Sequence, residues 1–187
     1  MHLIPILTPI SLIKTLKDFS VETAKIKWFN DITIENKKIA GILCEAKIEK
    51  KLSNIIVGIG ININSTRKEL DKLDLFDAAS IFSATKKEIN PKDFLKIFLK
   101  NFDEDIKNFI EQKNIENTKV LIELYETNCQ TIGQQIKVYN LTSKEIYKAK
   151  AIGLEEYGNL LISRNSKIEK INYNDFSISS CNENKII

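Results

Sequence analysis

The 187-residue chain is long enough for one domain with a real core, or for a larger domain and a smaller one. Its 43% hydrophobic and 28% charged residues suit an ordinary globular protein, and a net charge of +3 with dispersed lysines makes no compositional case for a nucleic-acid partner. The one histidine, His2, argues against Ser-His-Asp and Cys-His mechanisms, and three scattered cysteines with no CxxC pair (Cys44, Cys129, Cys181) read as reduced thiols, not a disulfide framework or zinc site.

The N-terminal stretch "MHLIPILTPISLIKTLKDF" is apolar at first, but it has no basic leader and no small-residue cleavage site, and Pro5 and Pro9 interrupt it. It reads as a structural segment and not as a signal peptide or membrane span, which makes the cytoplasm the expected location. Ile10, Ile13, Leu16 and Phe19 fall at helical spacing behind Pro9, which suits a first-turn proline. "KIKW" and "ITIE" alternate like strands, "ENKK" reads as a hairpin turn, "IAGILCEAKIE" as a long strand, "KKLSN" as a second turn and "IIVGIGIN" as a buried strand. Together these predict an antiparallel meander over residues 24–63.

A polar segment follows, then a short helix in "DAASIFSATKKEI". Asn90-Pro91 is a helix start, with Asn as cap and Pro at the first helical position. Phe94, Ile97, Phe98, Phe102, Ile106, Phe109 and Ile110 form an amphipathic stripe of core type, and "VLIELYETN" continues as helix. After Asn128, short alternating runs are punctuated at Asn140, Gly153, Gly158 and Asn165. They predict a small all-β module of about five strands, such as an SH3-like barrel, with the boundary near residues 129–132.

The chemistry-bearing residues cluster between Lys27 and Asn62. Lys38, at the entry to a buried strand, reads either as a turn lysine with its head in water or as a point charge for a phosphate or carboxylate. Gly41 reads as a bulge or as a place where something approaches the backbone. Asn30-Asp31 reads as a turn, or as a substrate amide beside a Mg2+-binding carboxylate. Gly58 and Gly60 share one face of their strand and clear a flat patch, while Asn62 at its end offers both donors and an acceptor. No helix opens directly after "GIGIN", so it is not a dinucleotide fingerprint.

In order and spacing, "KWFND", "KIAGILCE" and "GIGIN" resemble the KWPND, KLAGIL-x-E and G-x-GIN motifs of biotin–protein ligases. The likeness runs to about residue 179 through the C-terminal "IG…VYN…AIGLEEYGNLLI". It implies an α+β fold: part of a class II synthetase-like biotin/lipoate ligase catalytic domain over residues 1–129, an SH3-like β-barrel over 130–180 and a tail over 181–187. The implied activity is ATP-dependent conversion of biotin to biotinyl-5′-AMP and transfer to a lysine of a biotin carboxyl carrier protein, such as that of acetyl-CoA carboxylase. ATP, biotin and Mg2+ are the implied ligands, with a homodimer a further expectation and neither nucleic acid nor membrane among the partners. Carried over by motif, Lys38 contacts the biotin carboxylate and α-phosphate, with Lys27 and Glu45 as supports. Asn30 and Asp31 serve the nucleotide, with Asp31 on its Mg2+. Gly41, Gly58 and Gly60 leave room for ligand, and Asn62 binds adenine.

Two departures accompany the likeness. Phe29 stands where the motif has proline, a change expected to loosen Asn30-Asp31 because proline fixes φ. The family's Ser-Thr biotin turn and Gly-Arg-Gly-Arg-x-Gly-Arg loop are not found in this sequence, whose arginines are Arg67 and Arg164. The resemblance therefore implies a ligase lacking part of its catalytic domain, with a non-catalytic remnant or one half of a split enzyme as the alternative. A lipoate–protein ligase shares the architecture, but the motif set and the C-terminal β module argue against it.

Overall fold

A computed structural model describes residues 3–48, 52–111 and 115–181. Helix α1 (Ile4–Asp18) opens the fold and is buried on nearly all sides. It begins earlier than the proline spacing predicts: Pro5 occupies the first turn, and Pro9 lies inside the helix. Proline there removes a helical hydrogen bond, and the helix persists because Ile6, Leu7, Leu12, Ile13 and Leu16 are all sealed in the core.

The predicted meander is present as strands β1 (Lys25–Lys27), β2 (Asp31–Ile34), β3 (Lys37–Ile48) and β4 (Leu52–Ile61), adjacent in that order. Glu35 and Asn36 link β2 to β3 with φ of 49° and 63°, the left-handed pair a two-residue hairpin needs. β4 starts at Leu52, inside the stretch read as a turn; residues 50 and 51 of that turn, and residue 49 before it, lie outside the described residues. Ala40 and Ile42 turn inward and are buried, whereas Leu43 and Ile56 on the other face are 60% and 64% exposed.

Helix α2 (Arg67–Lys72) lies in the polar segment, for which no element was expected, and is started by a Thr66/Glu69 capping box. The short α3 (Ile81–Thr85) follows. Helix α4 (Pro91–Ile106) is capped by Asn90 as predicted, and ends in a π turn over Lys107–Glu111. Phe94 and Phe98 are buried in the core, and Phe102, Ile106, Phe109 and Ile110 pack against it. Helix α5 (Ile115–Asn128) leads to the second sheet.

Between α1 and α4 lies a buried polar belt. Ser11 donates to Asp105 at 2.6 Å and Lys14 lies 3.3 Å from the same carboxylate, while Asn101 donates to Thr15 and Asp18. Among the described residues, no buried side-chain polar atom lacks a partner. No helix among them is long and apolar enough to cross a membrane.

The C-terminal sheet has five antiparallel strands, β5 (Gln135–Asn140), β6 (Ile146–Leu154), β7 (Leu160–Arg164), β8 (Lys167–Ile171) and β9 (Phe176–Ser180). Their spatial order is β8-β7-β6-β5-β9, the strand complement expected of an SH3-like module, with the ladder open between β8 and β9. Two glycines seat this sheet on the rest. A Cβ on Gly158 (φ +82°) would come within 2.9 Å of the Ile6 side chain, and one on Gly153 within 2.9 Å of the Glu126 carboxylate. That carboxylate accepts the Leu154 N–H at 2.6 Å.

Gly158→Ala combines a left-handed backbone with a clash against a core isoleucine. It is expected to destabilise the protein by about 1–3 kcal/mol in thermal unfolding, whereas Gly60→Ala, with nothing within 4 Å of its Cβ, should leave the melt nearly unchanged.

Candidate active site

Strand register brings the motif residues into a row. Lys27 pairs with Asp31, Asp31 with Gly41 and Gly41 with Gly60, one residue from each of the four strands. Directly opposed residues share a face, so all four lie on the side away from α1. Leu43 opposite Gly58 and Glu45 opposite Ile56 extend the same face along β3 and β4. The glycines leave its centre bare, with Gly58 and Gly60 exposed.

Simple alternation from Gly41 would put Lys38 on the opposite, α1-facing side. A β-bulge prevents this: Ile32 pairs with Ala40 but Thr33 with Lys38, so Ile39 is skipped. The bulge returns Lys38 to the face of Gly41. Its side chain then lies across Gly41, with Cε and Nζ both 3.0 Å from where a Cβ would stand, and Nζ reaches Asp31 Oδ1 at 2.6 Å. The lysine side chain is 51% exposed and the carboxylate 28%, so this ion pair contributes at most about 1 kcal/mol and an incoming anion can replace Asp31. The Lys38 backbone is fixed separately, donating to Asp77 O and accepting from Ala79 N–H.

The Lys27–Asp31 turn is tied down from α5 and the C-terminal module. Trp28 donates its backbone N–H to Thr131 and its indole N–H to Gly158 O. Tyr125 donates to Phe29 O at 2.6 Å, and the Phe29 ring stacks on Tyr173 with centroids 3.8 Å apart. The Trp28–Phe29 peptide is cis. Asn30 clasps β3: its side-chain amide donates to Ile42 O while its backbone carbonyl accepts from Ile42 N–H. Burial, with smaller contributions from Cys129 and Asp31, pushes the Tyr125 hydroxyl well above the usual tyrosine range. Burial likewise raises the thiols of Cys44 and Cys129, so neither is primed as a thiolate.

Asn62, just past β4, donates its side-chain amide to Ala79 O, and Ala79 in turn binds Lys38 O, so one loop links the two predicted site residues. Glu45 shares the face but lies four residues beyond Gly41, roughly 13 Å along the strand, and does not join the cluster. A cleft of about 570 Å³ is lined by Lys27, Asn30 and Asp31 of the turn together with Tyr173, Ser177 and Ser179 of the C-terminal module. Lys38, Gly58, Gly60 and Asn62 lie outside it, on the open sheet face. Among the described residues no cluster of three metal-ligating side chains occurs. Asp31 offers a single carboxylate, which fits Mg2+ only as an ion held mainly by nucleotide phosphates.

Tyr125, Thr131 and Tyr173 were not predicted as site residues. Each is remote in sequence from the turn it supports, and nothing local marks it.

Gly41→Ala puts a methyl 3.0 Å from Lys38 Cε and Nζ, and the flexible lysine end can shift aside by a few tenths of an ångström. The expected result is near-normal stability with the Lys38–Asp31 pair weakened, read from the Lys38 ammonium signal in 1H–15N spectra. Tyr125→Phe leaves the Phe29 carbonyl without its donor and is expected to cost about 1–3 kcal/mol at neutral pH. A hydroxyl raised by folding stabilises the fold below its unfolded pKa of about 10 and loses that contribution as pH rises further. The variant's stability should therefore decline less steeply than the original's in alkaline titration.

Comparison with known proteins gives the same outline. Residues 5–62 match the Biotin/lipoate A/B protein ligase family and residues 131–179 the Biotin protein ligase C terminal domain. The bifunctional ligase/repressor BirA of Bacillus subtilis is 28% identical over 168 residues, 89% of this chain and 50% of that protein. The biotin protein ligase of Aquifex aeolicus superposes in its apo structure with TM-score 0.77 at 26% identity, covering 94% of this chain and 74% of that one. Its complex with biotin and ATP gives TM-score 0.77 at 27% identity, covering 94% and 70%. The chain thus spans about half the length of the curated relative. With both segments matched in order and the three motifs gathered on one face of one sheet, the chain belongs to the biotin–protein ligase family.

Proposed function

We propose that this chain carries the acyl-adenylate-binding part of a biotin–protein ligase, with residues 1–129 supplying the catalytic sheet and 130–180 the module that braces it. The observation that carries this reading is the Lys38 ammonium lying over Gly41, on the same sheet face as Gly60. Joining a carboxylate to an α-phosphate brings two anions together, and a preorganised cation at that junction lowers the barrier. Lys38 is the group for this role; Asp31 holds it at rest and releases it to the ligand. Lys27 adds a second positive charge on the row. Gly58 and Gly60 let an acyl chain or ring lie against the backbone, and Asn62 at the strand end is the candidate for the adenine edge. ATP brings its Mg2+ on its phosphates, with Asp31 as the carboxylate paired to Lys38. In the second step a carrier lysine amine attacks the biotinyl carbonyl; the C–N bond forms, the C–O bond to phosphate breaks and AMP leaves. No nucleophile from this chain is needed.

The open face favours a second reading, a module that binds ligand without turning it over. Nothing among the described residues closes over Lys38, and both arginines are engaged elsewhere: Arg67 with Asp71, Ala78 O and Leu75 O, Arg164 with Glu145 and the Tyr147 ring. Calorimetry with biotinyl-5′-AMP and biotin-dependent ATP–pyrophosphate exchange separate the two. The expected outcome is measurable biotinyl-AMP binding with little exchange by the 187-residue chain. Exchange should appear when the Ser-Thr and Gly-Arg-Gly-Arg elements are supplied, and Lys38→Ala should then lower it about 100- to 1,000-fold. Binding without exchange even in the completed protein would establish the second reading, and absence of both would remove the first.

A further inference from the structure

We propose that Tyr173 is a positioning residue for the Lys27–Asp31 turn, acting through Phe29; its consequence for ligand rests on the ligase reading above. The hydrogen bonds from α5 and the C-terminal module fix Trp28 and the Phe29 carbonyl. The Phe29 side chain, one residue before Asn30 and two before Asp31, is held by rings: edge-on to Trp28 at 5.9 Å and flat on Tyr173 at 3.8 Å with 4° between the planes. Tyr173 is 40% exposed, more than a core residue would be, yet its loop is rigidly built. Asn172 accepts from the N–H groups of Asn174 and Asp175 and donates to the Asp175 carboxylate, while Asp175 O accepts from Leu141 N–H. The aromatic face is thus presented at a fixed place, against a turn whose Asp31 is the resting partner of Lys38.

Tyr173 and Phe29 also line the 570 Å³ cleft together with Lys27, Asn30 and Asp31. The stack is thus part of the cleft wall. A displaced Phe29 would carry Asn30 with it, loosen the Asn30 clasp on Ile42, and move Asp31 relative to Gly41.

Trp28 is the single tryptophan of the chain, so its indole N–H, bonded to Gly158 O, reports the turn without labelling. In the 187-residue chain, Tyr173→Ala is expected to leave the far-UV spectrum unchanged, to speed exchange of the indole N–H, and to weaken biotinyl-5′-AMP binding about three- to tenfold. Tyr173→Phe, which keeps the ring, should match the original in both readouts. Tyr173→Leu, which keeps bulk but cannot stack, should resemble the alanine variant. An unchanged indole signal in Tyr173→Ala would overturn the proposal, as would equal losses in Tyr173→Phe, which would assign the effect to the hydroxyl. If the original chain does not bind biotinyl-AMP, the ligase reading fails, and the indole signal alone still decides whether Tyr173 positions the turn.

Discussion

The site depends on one contact, an ammonium lying flat over a glycine. Lys38 crosses Gly41 so closely that a side chain there would crowd it, and its charge ends against Asp31. Three independent features of the backbone make this arrangement. A hairpin with two left-handed residues sets β2 beside β3, a bulge turns Lys38 to the outer face, and the glycine leaves the path clear. The ion pair is weak because both partners are partly solvated, so an anion reaching the sheet face can compete with Asp31 for the ammonium. A fully buried pair would hold the lysine more firmly, but removing one partner would then leave an unpaired charge.

The rest of the molecule supports that contact from a distance. Helix α1 closes the inner face of the sheet and is locked to α4 by the Ser11–Asp105–Lys14 belt. Helix α5 supplies Tyr125 to the turn, and the loops of the C-terminal module supply Thr131, Gly158 and Tyr173. The expectation that Phe29 loosens the turn in place of proline does not match these contacts. The restraint a proline ring would supply within the chain comes here from hydrogen bonds and a stacked ring contributed by distant segments.

Much of this was legible in the sequence. The meander, the Asn90-Pro91 start of α4, its apolar stripe and the strand-rich C-terminus all follow from local signals: alternation, helical spacing, caps and turn residues. Helix α2 was legible too, because Thr66 and Glu69 form a capping box, but its polar composition hid it. The misplaced start of α1 has a different cause. Pro9 was read by its intrinsic preference, and burial of the whole helix overrides that preference. The gathering of Lys27, Asp31, Gly41 and Gly60 into one row was implied by motif order, but the register that makes it real is a long-range property. The bulge at Ile39 left no sequence signal, since an isoleucine between Lys38 and Ala40 is what an ordinary strand would contain. Glu45 shows the converse: it belongs to the motif by spacing, and the strand carries it away from the charged cluster.

The bulge makes chain length, and not only residue identity, a determinant of the lysine's address. Between Lys38 and Gly41 the chain holds one residue more than regular pairing requires, and that surplus decides which side of the sheet receives the charge. Excising it would leave every motif letter but one in place while sending the ammonium into the packing layer beneath α1. In this segment, spacing decides where the charge stands as much as residue identity does.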